Sequence, residues 1–146
     1  MCDNCFGINP LDPPPVKNVP LARKVMEFIR EHRNQHNQSV WSSKRDVFDV
    51  QKGRYLNSSE LALDTECGTT ACFAGWACVL NGDLTYADEK VVVSGKRGEA
   101  DAVLESIPQR AVDVLGLTAN EAARLFYADD FDELEYRVEV VFGERL

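Results

Sequence analysis

One uncharged run of 16 residues, at positions 67–82, constrains the fold of this chain more than any other stretch. Most residues at positions 71–78 are small, so a helix built from them can approach its neighbours closely, while Phe73 and Trp76 supply bulk. The run is shorter and more polar than a membrane-spanning helix, which needs about 20 apolar residues. Cap-forming and turn residues flank it on both sides. The pattern predicts a buried central helix over residues 70–80.

Apolar spacing predicts four further helices around the central one. Leu21, Val25 and Ile29 fall on one face of a helix over residues 20–35. After the central helix, the spacing and the cap residues predict three more helices, the first two joined by a tight glycine turn. These three helices cover residues 107–115, 118–127 and 131–142.

The remaining segments complete the predicted fold class. Residues 84–86 and 91–93 are typical of a small β-hairpin, whereas residues 38–57 mix aromatic and polar positions without a clear period and stay unassigned. The proline-rich residues 1–19 predict an extended arm. A chain of 146 residues with 45% apolar content has room for one core. We therefore expect a compact, mainly α domain over residues 20–146, on the border with α+β.

The charge of the chain is concentrated near its C-terminal end. Sixteen basic and 24 acidic residues give a net charge of −8, which argues against a nucleic-acid or membrane-surface partner. Residues 99–146 hold 12 acids and four arginines. This excess indicates either an ordinary solvated helix face or an acidic docking face for a basic protein partner. The candidate docking residues are Asp129, Asp130, Asp132, Glu133 and Glu135.

The five cysteines allow several kinds of chemistry. Four thiolates could hold zinc, with Cys67 and Cys72 joined by Cys2 and Cys5, although the spacing is wider than that of the usual close pairs. The alternatives are that the cysteines are buried free thiols, form a disulfide or include a reactive thiol. Cys78 is the fifth cysteine of the chain. The odd count and the lack of a signal-like N-terminus favour a reducing cytosol. We expect no other cofactor.

A thiol hydrolase is a further possibility. Cys67 lies just before the predicted central helix, where the helix dipole would lower the pKa of its thiol. The candidate bases are His32 and His36, four apart on one face near the end of the first helix. The alternative is that both are solvated surface histidines. Because no catalytic constellation is evident, we expect a binding protein rather than an enzyme.

The predicted helical pair near the C-terminus also fits the spacing of a helix-turn-helix. Ala111, Leu115 and Leu117 precede the apolar positions Ala122 and Leu125 of the second helix. A recognition helix needs basic residues around it, and this second helix carries a single arginine followed by several aspartates. Packing of a helical pair is therefore favoured over DNA binding.

The string C-G-T-x-A-C-x-A-G-W, starting at Cys67, resembles a motif of small uncharacterised proteins from actinobacteria and, above all, from their bacteriophages. Residues 115–127 are similar to a second block of that family, and the likeness covers most of residues 21–127. The resemblance implies a shared fold and a phage or actinobacterial cytosolic origin, but no reaction. Cys2, Cys5 and Cys78 are not part of the pattern. The motif residues are Cys67, Gly68, Thr69, Cys72, Gly75 and Trp76.

Taken together, these patterns favour a phage accessory protein in the cytoplasm that binds and regulates a host or phage protein. Two alternatives stay open. One is a thiol- or zinc-dependent module centred on Cys67 and Cys72, and the other is a helix-turn-helix regulator built on residues 111–127. We expect no membrane partner, because no apolar run is long enough to span a bilayer.

Overall fold

The computed structural model describes residues 16–65, 68–93 and 103–146. Five α-helices and seven short strands lie in these ranges, with a 3-10 turn at Arg33–Gln35. The helices are α1 (Val19–Glu31), α2 (Phe73–Leu80), α3 (Ile107–Leu115), α4 (Ala119–Phe126) and α5 (Phe131–Phe142). The strands are β1 (Ser43–Lys44), β2 (Phe48–Asp49), β3 (Arg54–Tyr55), β4 (Thr69–Thr70), β5 (Leu84–Thr85), β6 (Lys90–Val93) and β7 (Val103–Ser106).

The strands form small antiparallel sheets beside the helices. β1 pairs with β4, β2 pairs with β3, and β5, β6 and β7 form a three-stranded sheet in that order. The predicted hairpin is confirmed as β5 and β6, but β7 was not predicted, and the unassigned residues 38–57 contain β1, β2 and β3. The fold is therefore mixed α and β, and "mainly α" is a borderline description of it. Of the predicted arm, residues 1–15 lie outside the described ranges.

Helix α2 lies at the centre of the hydrophobic core, as predicted. All its residues from Phe73 to Cys78 are buried, and α1 and α3 both pack against it. The small side chains of α2 permit this close approach. The predicted start at residue 70 is wrong, because Thr69 and Thr70 pair with β1 as strand β4 and the helix begins at Phe73.

The end of α1 also differs from its prediction. The helix ends at Glu31 rather than residue 35, and the next residues form the 3-10 turn. The chain then becomes extended, since the Gln35 carbonyl accepts a hydrogen bond from the Ala71 amide and the Asn37 amide donates to the Ala71 carbonyl. These contacts with a distant segment stop the helix. His32 and His36 therefore do not share a helix face, contrary to the prediction.

The three C-terminal helices match their predictions closely. α3 ends at Leu115 and is followed by Gly116, whose φ of +69° is in the left-handed region that glycine adopts readily. α4 opens with the predicted capping box of Thr118 and Glu121, which satisfies two amides at the helix start. α5 begins after Asp130, whose carboxylate accepts from the Glu133 amide. The capping residues at the ends of these three helices are therefore sufficient to set the helix boundaries.

Candidate functional site

The described part of the resemblance motif lies against the irregular chain that follows α1, which includes a turn at residues 38–39. The Cys72 amide donates to the Val40 carbonyl at 2.7 Å, in the middle of a series of main-chain contacts between the two segments. We call residues 35–41 and 69–76 together the buried junction. This junction attaches the chain after α1 to the start of the central helix.

Two motif residues are required by the packing of the buried junction. A methyl group at Gly75 would overlap the carbonyl oxygen of Trp41, so only glycine lets the two backbones approach this closely. The indole of Trp76 is fully buried, and its Nε1 donates to the Gln35 carbonyl at 2.8 Å. Gly75 and Trp76 thus have structural roles that account for their presence.

The two described motif residues that precede Cys72 lie beside a cleft. Thr69 is buried in β4, and its hydroxyl donates to the Asp64 carboxylate at 3.3 Å. Gly68 has a φ of +101°, and its carbonyl accepts from the Arg45 amide at 2.8 Å. Both residues border a polar cleft of about 430 Å³. The same cleft includes Lys44, whose ammonium group lies 3.0 Å from Asp64.

The described cysteines are buried free thiols. Cys72 is the N-cap residue of α2 and is 1% exposed. Burial raises the pKa of its thiol to about 11, although the amides of Ala74 and Gly75 partly oppose this. Burial also raises the pKa of Cys78, whose thiol donates weakly to the Ile107 carbonyl. Both thiols are protonated at neutral pH and are poor nucleophiles and metal ligands in this state.

The other three cysteines, Cys2, Cys5 and Cys67, lie outside the described ranges. The prediction that Cys67 lies just before the central helix is wrong, since α2 begins six positions later at Phe73. Within residues 16–65, 68–93 and 103–146, no group of three or more His, Cys, Asp or Glu side chains could hold a metal ion. The zinc site stays a prediction.

The two histidines have different surroundings. His32 stacks on Phe28 with 4.2 Å between ring centroids, at the end of α1. His36 is partly buried, and its Nε2 lies 2.7 Å from the side-chain oxygen of Gln38. Burial lowers the pKa of His36, the Gln38 contact opposes this, and the charge of Arg33 adds to the lowering. The interpretation of both as solvated surface histidines is therefore wrong for His36.

Most of the acidic residues predicted for docking have partners within the chain. Asp130 caps α5, and Glu133 forms an ion pair with Arg137 at 2.8 Å. Glu135 forms an ion pair with Arg30 of α1, also at 2.8 Å. The two arginines partly neutralise the charges of Glu133 and Glu135, so this surface is less negative than the sequence predicts. The remaining two candidates are exposed: Asp129 and Asp132.

The helix-turn-helix spacing corresponds to the packed pair α3 and α4. The five apolar residues behind that prediction are all buried: Ala111, Leu115, Leu117, Ala122 and Leu125. α4 carries one basic residue, Arg124, and Glu121 at its start is paired with Lys17 at 2.8 Å. Packing of a helical pair accounts for the pattern, and the charge argument against DNA binding is unchanged.

A surface that the sequence analysis missed lies in the unassigned stretch. We call residues 47–56, which include β2 and β3, the aromatic hairpin. Phe48 and Tyr55 face each other across the two strands with 5.2 Å between ring centroids, in an edge-to-face arrangement. They are 51% and 62% exposed, and nearby Val50 is 84% exposed. Large apolar side chains thus point outward from one small sheet.

Polar contacts of Glu60 hold the base of the aromatic hairpin. Its carboxylate accepts from Arg54 at 2.7 and 3.0 Å, from Lys52 at 2.7 Å and from the Asn57 amide at 3.1 Å. Hydrogen bonds from Arg54 and Lys52 hold the pKa of Glu60 well below its usual range. The carboxylate therefore stays ionised over the physiological pH range and connects the turn at Lys52 with β3 and with the chain that follows it.

Comparison with known proteins adds no relative that could supply a function: no family model, no curated protein and no solved structure matches this chain. The longest helix in the described ranges, α1, has 13 residues, and none of the described helices could span a bilayer.

Proposed function

We propose that this chain is a phage accessory protein that acts as a protein-binding module, with the aromatic hairpin as its binding surface. The observation that carries the proposal is the exposed pair Phe48 and Tyr55 on adjacent strands. Aromatic residues are enriched in the buried centres of protein interfaces, where a few of them supply most of the binding free energy. An exposed apolar cluster of this kind on a polar surface is typical of an interaction site.

The aromatic hairpin is already ordered in the free chain, so a partner that docks on it would cause little further loss of conformational entropy. β2 pairs with β3, and the Leu56 amide donates to the Val47 carbonyl at 2.9 Å, so the strands that carry the aromatic rings are already held together in the free chain. Glu60 adds a link between Lys52 of the turn and Arg54 of β3. A surface that is ordered before binding loses less conformational entropy when a partner docks.

A protein fits this surface better than a nucleic acid. The two basic side chains of the hairpin, Lys52 and Arg54, both contact the carboxylate of Glu60. Their charges are partly neutralised, and the whole chain has a net charge of −8. Single-stranded nucleic acid needs a positively charged groove beside stacking rings, so aromatic rings alone do not favour it.

The parts of the proposal that concern the origin of the protein and its partner rest on the motif resemblance. It suggests a phage protein that works in the cytoplasm on a host or phage protein. We describe its architecture as mainly α with a small β part. The exposed acids Asp129 and Asp132 are too few to act as the main docking face, so they have at most a secondary role in this proposal.

Photo-crosslinking in an actinobacterial host tests the proposal. A benzoylphenylalanine in place of Val50 at the hairpin tip is expected to crosslink to a distinct protein. The same probe in place of Val140, a half-exposed valine of α5, is the positional control. The crosslink is expected to disappear in the double variant Phe48→Ser and Tyr55→Ser and to persist in Tyr136→Ser, which removes an equally exposed tyrosine from α5.

Three outcomes would contradict the proposal: no protein crosslinked at Val50, the same proteins crosslinked at Val140, or a crosslink that survives the double variant. A crosslink to a second copy of this chain would show self-association and would also contradict it.

No contact among the described residues favours the thiol, zinc or DNA-binding alternatives. The zinc alternative depends on Cys67 and Cys72 and has a direct test. Intact mass under native and then denaturing conditions would reveal one zinc ion bound to the native chain and lost on unfolding.

A further inference from the structure

A small cavity, separate from the aromatic hairpin, lies where the chain after α1 meets the end of α4. Its volume is about 220 Å³, and three aromatic residues are among those that line it: Trp41, Phe126 and Tyr127. The ring centroids of Phe126 and Tyr127 lie 5.9 and 6.0 Å from that of Trp41, at interplanar angles of 89° and 83°. Aromatic rings in different orientations therefore line this space, which we call the Trp41 cavity.

The Trp41 cavity is open to solvent and has a negative charge at its edge. Tyr127 is 67% exposed, whereas Phe126 is buried and Trp41 is partly buried. Asp129 also lines the cavity and is exposed. Its side chain makes no ion pair or hydrogen bond among residues 16–65, 68–93 and 103–146. The rings and the carboxylate are therefore accessible to the same ligand.

Hydrogen bonds of Gln38 hold the two sides of the Trp41 cavity together. The side-chain nitrogen of Gln38 donates to the Leu125 carbonyl at 2.8 Å, and its side-chain oxygen accepts from the Phe73 amide at 3.2 Å. These bonds connect the end of α4 to the start of α2 through the segment that carries Trp41. The Trp41 carbonyl in turn packs against Gly75. A cavity that is formed before binding loses little conformational entropy when a ligand enters.

We propose that the Trp41 cavity binds an alkylated ammonium group, such as the quaternary nitrogen of choline or of a trimethylated lysine side chain. Aromatic ring faces attract cations, and cavities lined by several rings recognise quaternary ammonium groups. The Asp129 carboxylate adds an attraction that a neutral ligand of the same shape does not have. A cavity of about 150 Å³ is large enough to hold benzene, so the Trp41 cavity has room for a trimethylammonium group.

The charges around the Trp41 cavity favour a cation over an anion or a neutral apolar group. None of the described residues that line it is basic, and the net charge of the chain is −8. An anion would be repelled by the Asp129 carboxylate and by the negative faces of the rings. A neutral apolar group would contact the rings but would gain nothing from the carboxylate.

An NMR titration of the 15N-labelled full chain tests the proposal, because the two tryptophan indoles of the chain lie in different surroundings. The probes are choline and its neutral analogue, in which a carbon atom replaces the quaternary nitrogen. We expect choline to shift the Trp41 indole signal in a saturable way and to leave unchanged the signal of Trp76, which is fully buried. The neutral analogue is expected to bind about tenfold more weakly, because it has no charge.

A second cation distinguishes the two sources of the ammonium group. N-acetyl trimethyllysine amide presents the group as a protein side chain would, whereas choline presents it as a free small molecule. Binding of either cation supports the proposal, and the tighter of the two indicates the source.

Two pairs of variants separate the Trp41 cavity from the rest of the surface. Tyr127→Leu removes a ring of the cavity and is expected to weaken choline binding about fivefold, whereas Tyr136→Leu removes a similarly exposed ring from α5 and is expected to have no effect. Asp129→Asn is expected to weaken choline binding about threefold without changing binding of the neutral analogue, and Asp132→Asn is its control. Tyr127→Phe keeps the ring and should retain the affinity. Circular dichroism checks that the variants fold.

Four results would overturn the proposal: no saturable shift of the Trp41 signal with either cation, equal affinity for choline and its neutral analogue, an equal shift of the Trp76 signal, or equal affinities within either pair of variants. The described residues that line the Trp41 cavity are all outside the aromatic hairpin, so this proposal and the proposed function can fail separately.

Discussion

The buried junction and the aromatic hairpin both contain aromatic side chains, but these are buried in the junction and exposed in the hairpin. In the junction, the indole of Trp76 is fully buried and its polar atom bonds to the main chain of Gln35. In the hairpin, Phe48 and Tyr55 pair with each other and expose about half of their surface. The first arrangement stabilises the fold, whereas the second leaves apolar surface for another molecule.

This contrast shows that a distinctive string in a sequence can owe its pattern to packing. The motif around Gly75 is distinctive because two backbones meet there and tolerate no side chain. The hairpin residues fit no distinctive pattern, because exposed side chains are not constrained by packing inside the chain.

The largest expected effect is from Gly75→Ala in the buried junction. We expect a loss of about 3 kcal/mol or more in the free energy of unfolding, because the new methyl group would overlap the Trp41 carbonyl and force the backbone apart. Gly53→Ala in the hairpin is the control and is expected to cost about 1 kcal/mol, since its φ of +68° is unfavourable for alanine but no atom blocks the methyl group. Urea denaturation measures both, and equal losses would contradict the comparison.

The next effect comes from replacing one aromatic residue that carries a polar group with phenylalanine in each region. Trp76→Phe is expected to cost about 2 kcal/mol, because it deletes the buried hydrogen bond to the Gln35 carbonyl and leaves a small void. Tyr55→Phe removes an exposed hydroxyl and is expected to change stability by less than about 0.5 kcal/mol. A large loss from Tyr55→Phe would mean that the hairpin is part of the stabilising core.

The aromatic hairpin should matter for binding rather than for stability. Phe48→Ser with Tyr55→Ser is expected to weaken binding of the crosslinked partner by about 30-fold, corresponding to the loss of about 2 kcal/mol from aromatic anchors. Calorimetric titration with that partner measures the change, and Tyr136→Ser is the control. Unchanged affinity with both rings removed would disprove a binding role for the pair.

Acid should weaken the junction through His36. Burial lowers the pKa of His36 below its ordinary value of 6.5, so the unfolded chain binds this proton more readily than the folded chain. The contribution of His36 is fully present above about pH 7, decreases as the pH falls through 6.5, and levels off below the lowered pKa. Urea denaturation at several pH values should show this decrease, and His36→Gln should remove it. An unchanged decrease in the variant would assign it to other groups.

The smallest expected effect on global stability is from Glu60→Ala, because the contacts of Glu60 lie at the surface. The change should appear locally, as faster hydrogen exchange of the Asn57 amide, because alanine removes the carboxylate to which that amide donates. Glu139→Ala, at an exposed position on α5, is the control. Unaltered exchange at Asn57 would mean that Glu60 does not order the chain at the end of the hairpin.

Local signals explain why parts of the fold could be predicted. The capping box of Thr118 and Glu121 and the left-handed Gly116 act over three or four residues, so they are readable in the sequence. The starts and ends near the junction were wrong, because Thr70 pairs with Ser43 across 27 positions and Ala71 bonds to Gln35 across 36. Contacts of that range leave no periodic pattern.

The candidate site was less predictable than the fold. Phe48 and Tyr55 are separated by a glycine turn at Gly53, which is a weak hairpin signal, but nothing in their types shows which face is exposed. Conversely, Glu135 pairs with Arg30 of α1 across 105 positions, and nothing in the sequence reveals that partner.

The amino-acid sequence by itself determined the helical segments, the central position of α2 and the net charge of −8, because these depend on residue type and short spacing. Tertiary structure alone decided that Gly75 and Trp76 serve packing, that Cys72 is buried, and which aromatic residues stay exposed. Burial and partners are set by chain segments far apart in sequence, and only their packing decides which side chains remain available to another molecule.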